Sequence, residues 1–454
     1  MILPQHFLES ISSCAGFDEP AFIEAHQQPA ATSIRFNPLK SNLAVSSYHE
    51  IKLSDVPWCG HGIYLKARPT FTLDPLLHAG EFYVQEASSM FLYHVIQNIL
   101  PNASDLKLLD LCAAPGGKTT LLASMKQFDF VLANEIISSR VPVLYENLVK
   151  WGSSKTFISN NDPKDFYSIG ELFDVVLVDA PCSGSGLFRK DPDALAEWNN
   201  DLVNFCSLRQ QRIVKDALEV LKPGGFLIYS TCSYSVQENE SILDYIMGYG
   251  GLDSVQINVP ETWNITHSMS DKFAANGYRF YPNKVLGEGF FCSVFQKNAS
   301  SMNAYSYEHI VQPKIASKQI DLDAWVDSNV LTYLDDNGEM LAVKSDHLSL
   351  RSHLKKYLRL RKSGIKLGTW MKKGFVPDHE LAMSECISQN VPKMVLSKAD
   401  AIKYLLKEDI VVDDNNEGTY LMTYQQSPLG WAKIINNRLK NNYPMNWRIL
   451  MRDE

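Results

Sequence analysis

The sequence predicts an α/β protein whose main domain is built on a largely parallel sheet, and two observations support this prediction. Between residues 105 and 298, short apolar runs alternate with longer amphipathic segments. Strands that alternate with helices in this way are typical of a parallel sheet covered on both faces. Several apolar runs also end in cysteine or acidic residues. Because ligands of such sheets bind beyond the carboxyl ends of the strands, we expect the functional site at that edge.

Pattern and composition divide the chain into four regions. Residues 1–95 are a small α/β region, 96–298 hold the main sheet, 299–317 are a polar linker, and 318–454 form one or two smaller modules. The strands predicted for the main sheet are LKLLDLCA, FDFVLANE, KTFISN, LFDVVLVDAP, GGFLIYSTCS and GFFCSVFQK.

The composition is that of an ordinary globular chain, with 45% hydrophobic and 21% charged residues. No apolar run approaches the roughly 20 residues that a membrane span needs. The amino-terminal segment also lacks the pattern of a secretory signal. The eight cysteines have neither metal-ligand nor disulfide-framework spacing. We therefore expect no metal and a reducing, cytoplasmic location.

The segment LLDLCAAPGGKTT predicts a ligand-binding loop. A strand ends at Asp110, a turn of small residues contains Gly116 and Gly117, and a helix begins near Lys118. Small residues let the backbone approach a ligand, and a helix N-terminus offers free N–H groups. A phosphate-binding P-loop needs glycine five residues before the GK pair, where Cys112 stands. The dinucleotide fingerprint GxGxxG is absent as well, which leaves an adenosyl cofactor across the strand ends.

Acidic residues follow three successive strands and fit this cofactor. Glu135 ends the second strand and is expected to bind ribose hydroxyls. Asp162, after the third strand, could hold the adenine amine, and Asp179, at the end of the fourth, would face the reacting centre. A single acid at such a position is often only a surface residue, but three in succession indicate a site.

Two cysteines lie at the same predicted edge. Cys182, in DAPCSGSG, follows the fourth strand, and Cys232, in STCSYSVQENE, follows the fifth. A free cysteine is usually a small core residue. Here both are flanked by small polar residues in loops, which favours a chemical role. The residues alone do not decide which thiol is the nucleophile.

At these motifs the sequence resembles the Nol1/Nop2/Sun family of RNA cytosine-C5 methyltransferases, and within it the bacterial F-type enzymes of 16S ribosomal RNA. The resemblance spans nearly the whole chain and is strong through LDLCAAPGGKTT, DAPCSGSGLFRKDP and KPGGFLIYSTCSYSVQENE. It implies a Rossmann-like class I methyltransferase domain, S-adenosylmethionine as cofactor, and RNA-binding regions at both ends. The C-terminal region would include a PUA-like module containing Gly430 and Trp431.

The resemblance also implies a role for each candidate residue. Cys232 would be the nucleophile, Cys182 would help release the product, and Asp179 would contact the base. The cofactor-binding residues would be Cys112, Ala113, Ala114, Pro115, Gly116, Gly117, Lys118, Glu135, Asp162 and Asp179. The chemistry supplies a reason, because C5 of cytosine is a weak nucleophile until a thiolate adds to C6. A carboxyl group near N3 would assist as charge develops.

We therefore expect S-adenosylmethionine-dependent methylation of cytosine C5 in 16S ribosomal RNA by a monomer. Two alternatives stay open: a transfer RNA cytosine-C5 methyltransferase, and a weakly catalytic ribosome-assembly factor that binds RNA. The net charge is −8, but nine Lys or Arg residues and no acids lie between 351 and 373. That stretch is expected to contact RNA, with Arg35, Asn37 and Arg189 as weaker candidates near the site. The acidic stretch at 411–417 departs from the family pattern.

Overall fold

The structure is a computed structural model that describes part of the chain in detail. The described residues are 2–40, 43–299, 322, 324–327, 331–336, 338–372, 374–411, 417–436 and 438–452. The predicted linker lies outside them from residue 300 onward, as does most of the acidic stretch at 411–417.

The N-terminal region contains a four-stranded antiparallel sheet with the strand order β2-β3-β1-β4. Its strands are β1 (Thr32–Phe36), β2 (Lys52–Asp55), β3 (Gly62–Leu65) and β4 (Phe82–Tyr83). The helices are α1 (Gln5–Ile11), α2 (Glu19–Gln27), α3 (Leu43–Tyr48), α4 (Pro75–His78) and α5 (Phe91–Ile99). The segments SIRFNPL and GIYLK thus contain strands, as the sequence predicts.

The central domain contains the large sheet. Its strands are β5 (Leu106–Asp110), β6 (Phe128–Asn134), β7 (Thr156–Ser159), β8 (Phe173–Asp179), β9 (Leu221–Thr231), β10 (Leu252–Ser254), β11 (Thr266–Met269), β12 (Asn276–Phe280) and β13 (Phe290–Lys297). Its helices are α6 (Gly117–Ala123), α7 (Val141–Trp151), α8 (Pro192–Glu197), α9 (Asn200–Leu218) and α10 (Glu240–Tyr249).

Five neighbouring strands of this sheet, in the order β7-β6-β5-β8-β9, run parallel. The predicted α/β fold is confirmed, but the sheet as a whole is mixed, because the sixth predicted strand, β13, pairs antiparallel with β9 and further antiparallel strands follow it. At the other edge, β7 pairs antiparallel with a strand at Leu360–Ser363, from the predicted C-terminal region. Buried apolar clusters cover both faces of the sheet. This burial explains why β8, with the sequence FDVVLVD, is apolar without alternation.

The C-terminal region forms two further four-stranded sheets, with the orders β14-β15-β17-β18 and β19-β20-β21-β22. The strands are β14 (Leu331–Asp336), β15 (Glu339–Lys344), β16 (Leu360–Ser363), β17 (Ile365–Met371), β18 (Gly374–Pro377), β19 (Lys393–Val395), β20 (Gly418–Tyr424), β21 (Ser427–Ile435) and β22 (Arg438–Asn441). The helices are α11 (Leu348–Tyr357), α12 (His379–Met383) and α13 (Lys398–Leu406). Trp431 is buried and donates a hydrogen bond to the Asp378 carbonyl. It is therefore a core residue of this region.

Much of the basic stretch at 351–373 stabilises the fold. Arg351 and Lys355 both form ion pairs with Asp336. The buried Lys362 lies 3.5 Å from a carboxylate of α12. For these residues the structure supports a structural role and not the expected contact with RNA.

Within the described ranges, none of the helices combines the length and the apolar character that a bilayer crossing requires.

Candidate active site

A cleft of about 280 Å³ opens at the carboxyl ends of the parallel strands. Strand β5 leads into it through Cys112, β6 through Glu135, β8 through Asp179 and Cys182, and β9 through Cys232. The sheet therefore gathers both predicted thiols and two of the three predicted acids at one edge. The other residues that line the cleft are Leu111, Ala114, Ile136, Ile137, Arg140, Pro163, Ala180, Pro181, Gly184, Leu187, Asp191, Ala194, Arg209, Arg212 and Ile213.

The two thiols lie in contact. The Sγ atoms of Cys182 and Cys232 are 3.1 Å apart, although 50 residues separate the two cysteines in the chain. The hydrogen bond with Cys232 raises the pKa of Cys182 well above its usual value, and burial adds to this effect. Cys182 is therefore held as a neutral thiol beside its partner. An arrangement of two sulfur atoms at one cleft suits a reaction in which one thiol attacks and the other handles a proton.

Both carboxylate oxygens of Asp179 are engaged. Its Oδ2 accepts a hydrogen bond from Nζ of Lys118 at 2.7 Å, and its Oδ1 accepts one from the Ser230 hydroxyl at 2.8 Å. Lys118 was predicted to bind the cofactor, and the structure turns its ammonium group toward this acid. Burial acts to lower the pKa of Lys118, but the charge and hydrogen bond of Asp179, together with Cys232 and Asp110, raise this pKa above its usual value. The pair supplies a fixed acceptor and a fixed donor beside the thiols.

Residues 112–115 form the first half of the predicted cofactor loop. Some of them line the cleft, and others make hydrogen bonds that hold the loop in place. Cys112 and Ala114 line the cleft. Burial raises the pKa of the Cys112 thiol well above its usual value, which keeps it neutral. The amide of Ala113 donates to the last carbonyl of β6 at 2.8 Å, and the carbonyl of Pro115 accepts from a side chain of α7. These bonds fix the path of the loop.

The two glycines of the loop allow close packing. Gly116 precedes α6 with a φ of +109°, which an L side chain rarely adopts. A Cβ atom on Gly117 would lie 3.2 Å from the Tyr83 ring of the N-terminal region. Neither glycine lines the cleft wall itself. Together they let α6 start immediately behind the site, with its N-terminus directed at the strand ends.

The structure separates the roles of Glu135 and Asp162. Glu135 is buried in the cleft, and its Oε1 is held by the Ile137 amide at 2.8 Å. Asp162 instead caps the following turn through the Lys164 amide and lies 3.6 Å from Arg212. Its neighbour Pro163 forms that part of the cleft wall. Glu135 is thus better placed than Asp162 to bind a ligand in the cleft.

The cleft fits an adenosyl cofactor. Ile136, Ile137 and Ile213 provide apolar walls for a flat base, and Glu135 provides a buried acceptor for ribose hydroxyls. Asp179 and the two thiols line the same cleft and would face the reacting atoms. The residues present therefore match the cofactor that the loop predicts.

Sequence reasoning missed several residues of the site. Arg140, Arg209 and Arg212 line the cleft and give it a positive rim. Glu238 bonds to the loops of both cysteines. The motif around Cys232 contains this glutamate, but no local pattern shows that its side chain reaches a loop 55 residues away.

Three weaker candidates turn out to have structural roles. Arg35 is buried, with its guanidinium 4.4 Å from the centre of the Trp151 ring. Asn37 is fully buried and donates to two backbone carbonyls. Arg189 forms a buried ion pair with Glu288. Their expected contact with RNA near the site is therefore wrong, because each polar group is already used inside the protein.

Family models match three parts of the chain. Residues 97–296 match the 16S rRNA methyltransferase RsmB/F model. Residues 3–87 match the N-terminal domain of 16S rRNA methyltransferase RsmF, and residues 391–449 match the methyltransferase RsmF PUA domain. The matched regions include the glycine loop and both cysteine loops.

Curated relatives are similar over the full length. Ribosomal RNA small subunit methyltransferase F of Shewanella loihica is 32% identical, with all of this chain and 96% of that protein aligned. The protein of the same name from Aliivibrio fischeri is 30% identical, with all of this chain and 98% of that protein aligned.

Solved structures share the fold. A methyltransferase homolog protein from Pyrococcus horikoshii is 27% identical, with a TM-score of 0.52 over 65% of this chain and 100% of that chain. NSun6 from the same organism, solved with SFG, has a TM-score of 0.54 over 66% of this chain and 99% of that chain, at 20% identity.

Proposed function

Because this chain belongs to the F-type family of small-subunit ribosomal RNA methyltransferases, which use S-adenosylmethionine, we propose that it methylates C5 of cytosine in 16S ribosomal RNA. The single observation that carries this proposal is the contact of Cys182 and Cys232 at 3.1 Å, beside Asp179 in one cleft. Methylation of a ring nitrogen or a hydroxyl needs no thiol, whereas methylation of C5 needs a nucleophile that adds to C6.

In the proposed reaction Cys232 attacks the base. Its thiolate adds to C6 and makes C5 nucleophilic, and S-adenosylmethionine supplies the methyl group that C5 receives. Asp179 would hydrogen-bond the N3 edge as charge develops there. Lys118 fixes the orientation of that carboxylate through its 2.7 Å bond. Cys182 then assists departure of the C5 proton and the elimination that frees Cys232.

The target base must leave its stack to reach Cys232, so unpaired or loosely paired RNA is the favoured substrate. Arg140 and Arg212 line the cleft with side chains that are 47% and 54% exposed, and they can contact phosphates beside the extruded base. We also propose a cytoplasmic location, because all eight cysteines are free thiols.

The test uses full-length protein, labelled S-adenosylmethionine and two RNA substrates. Small ribosomal subunits and transfer RNA are both taken from cells that lack this enzyme, and the products are mapped by bisulfite sequencing. We expect 5-methylcytosine in the small-subunit RNA and none with Cys232→Ala. Modification of transfer RNA alone would favour the transfer RNA alternative. Absence of 5-methylcytosine from both RNAs would overturn the proposed chemistry.

A further inference from the structure

One buried carboxylate joins the two cysteine loops. Glu238 is fully buried. Its Oε1 accepts a hydrogen bond from the Ser183 amide at 2.7 Å, and its Oε2 accepts from the hydroxyls of Ser183 and Ser233, both at 2.5 Å. Ser183 directly follows Cys182, and Ser233 directly follows Cys232. A single side chain therefore holds the residue next to each thiol.

Hydrogen-bond donors surround the buried carboxylate of Glu238. Gln210 of α9 donates a further hydrogen bond to its Oε1 at 3.2 Å. Within the described ranges, no lysine, arginine or histidine forms an ion pair with it. Burial of a carboxylate without a cation costs free energy, which only good hydrogen bonds offset. Its charge also contributes to the raised pKa of Cys182, after the hydrogen bond with Cys232 and burial.

The two loops depend on Glu238 to different degrees. Ser183 gives both its amide and its hydroxyl to this carboxylate. Ser233 gives Glu238 its hydroxyl, whereas its amide donates to Thr231 at 3.3 Å. Further bonds anchor both loops, because the Pro181 carbonyl accepts from Gln210 at 3.1 Å and the Ser233 carbonyl accepts from Asn239 at 2.7 Å. Loss of Glu238 should therefore displace Cys182 more than Cys232.

We propose that Glu238 is a positioning residue that holds the Cys182 sulfur against Cys232, and that it controls product release more than attack. The inference rests on the proposed function. In release, the neutral Cys182 thiol passes its proton to the Cys232 sulfur, 3.1 Å away, as that sulfur leaves C6 with the electron pair of their bond. Cys182 takes up the C5 proton in exchange, and the electrons of the C5–H bond re-form the C5–C6 double bond. A misplacement of about 1 Å can slow such a step about 100-fold.

The test compares Glu238→Ala with Glu238→Gln in the full-length protein, with target RNA and S-adenosylmethionine. For Glu238→Ala we expect a covalent protein–RNA complex on denaturing gels and a fall in kcat of about 100-fold, with cofactor affinity unchanged. Glu238→Gln keeps the shape of the side chain. Its Oε1 can accept from the Ser183 amide, and its Nε2 can donate to the two hydroxyls. We expect it to restore much of the turnover and to abolish the covalent complex.

Glu380→Ala is the matched control. It removes a buried carboxylate of the C-terminal region that lies 3.5 Å from Lys362 and accepts from the Lys366 amide at 3.0 Å. We expect it to lower Tm without trapping RNA. Equal trapping by Glu380→Ala, or wild-type turnover by folded Glu238→Ala, would overturn the inference. So would a folded Glu238→Ala that forms no adduct.

A second variant covers the case in which Glu238→Ala does not fold. Ser183→Ala removes one hydroxyl bond to Glu238 and should trap a smaller fraction of the RNA; absence of any adduct would count against the inference. The Cys182→Ala variant distinguishes failure of the inference from failure of the proposed function. If only the inference is wrong, Cys182→Ala still forms a covalent complex with RNA. If the proposed function is wrong, Cys182→Ala forms no such complex either.

Discussion

Lys118 and Asp179 form an ion pair in the active site, with Nζ of Lys118 2.7 Å from Oδ2 of Asp179. The side chains are 20% and 28% exposed, so the pair is largely shielded from water. The lysine begins the helix behind the glycine loop, and the aspartate ends β8. This ion pair thus joins the glycine loop to the carboxyl end of β8.

Lys118→Met should therefore damage both activity and stability. The substitution leaves Asp179 without its cation, and loss of one partner from a partly shielded pair costs about 2 kcal/mol. We expect kcat/KM to fall at least about 100-fold, since the carboxylate loses its fixed orientation. Methyl transfer and urea unfolding measure the two effects. Lys126→Met, which alters an exposed lysine just beyond α6, is the control; an equal loss of activity there would contradict this explanation.

The two thiols should respond to substitution in opposite ways. In the proposed mechanism, Cys232→Ala removes the nucleophile, and we expect it to abolish both methylation and any covalent RNA complex. Cys182→Ala leaves the proposed attacking thiol in place, and we expect it to trap the adduct because release is slowed. Denaturing gels with radiolabelled RNA distinguish the two outcomes. The reverse pattern would exchange the roles of the thiols.

Glu135 and Asp162 should differ in their effect on cofactor affinity. If Glu135 binds the ribose as proposed, Glu135→Gln removes the charge from that buried contact, and we expect Kd for S-adenosylmethionine to rise about 10- to 100-fold. Asp162→Asn alters a carboxylate that caps a turn beside the cleft wall, and we expect a change below about threefold. Isothermal titration calorimetry measures both variants under the same conditions. A larger effect at Asp162 than at Glu135 would show that the adenosyl group binds differently.

Asp110 predicts a pH dependence of stability. Burial raises its pKa to about 7, although a hydrogen bond from Thr119 opposes the shift. Between pH 4 and pH 7 the folded state therefore keeps a proton that the unfolded chain has lost, so stability falls as the pH rises through this window. Asp110→Asn stays neutral, and its stability relative to wild type should rise by on the order of 1 kcal/mol per pH unit there.

Urea unfolding of both proteins at pH 5 and pH 8, without cofactor, tests this prediction. Other titrating groups are common to the two proteins and cancel in the difference. A difference in unfolding free energy that does not change with pH would mean that Asp110 is ionised in the folded protein.

The order of strands and helices in the sequence is enough to predict the fold class and the edge of the sheet that holds the site. Apolar runs that end in Glu135, Asp179 and the two cysteines predict a parallel sheet with a site at one edge, because parallel strands direct their carboxyl ends the same way. The identity of the cofactor follows in part from Cys112, which stands where a P-loop needs glycine. These conclusions depend on local pattern and on a general rule of sheet topology, so they need no knowledge of distant contacts.

Only the tertiary structure decides which side chains meet. Lys118 bonds to Asp179 across 61 residues, and Glu238 reaches Ser183 across 55. The basic stretch 351–373 was expected to contact RNA, but its first residue, Arg351, pairs with Asp336 inside the fold. The physical reason is that a side chain's partner depends on which loops the sheet brings together, and on whether burial makes an unpaired charge too costly. Neither of these two factors can be read from the residues that flank the side chain in the sequence.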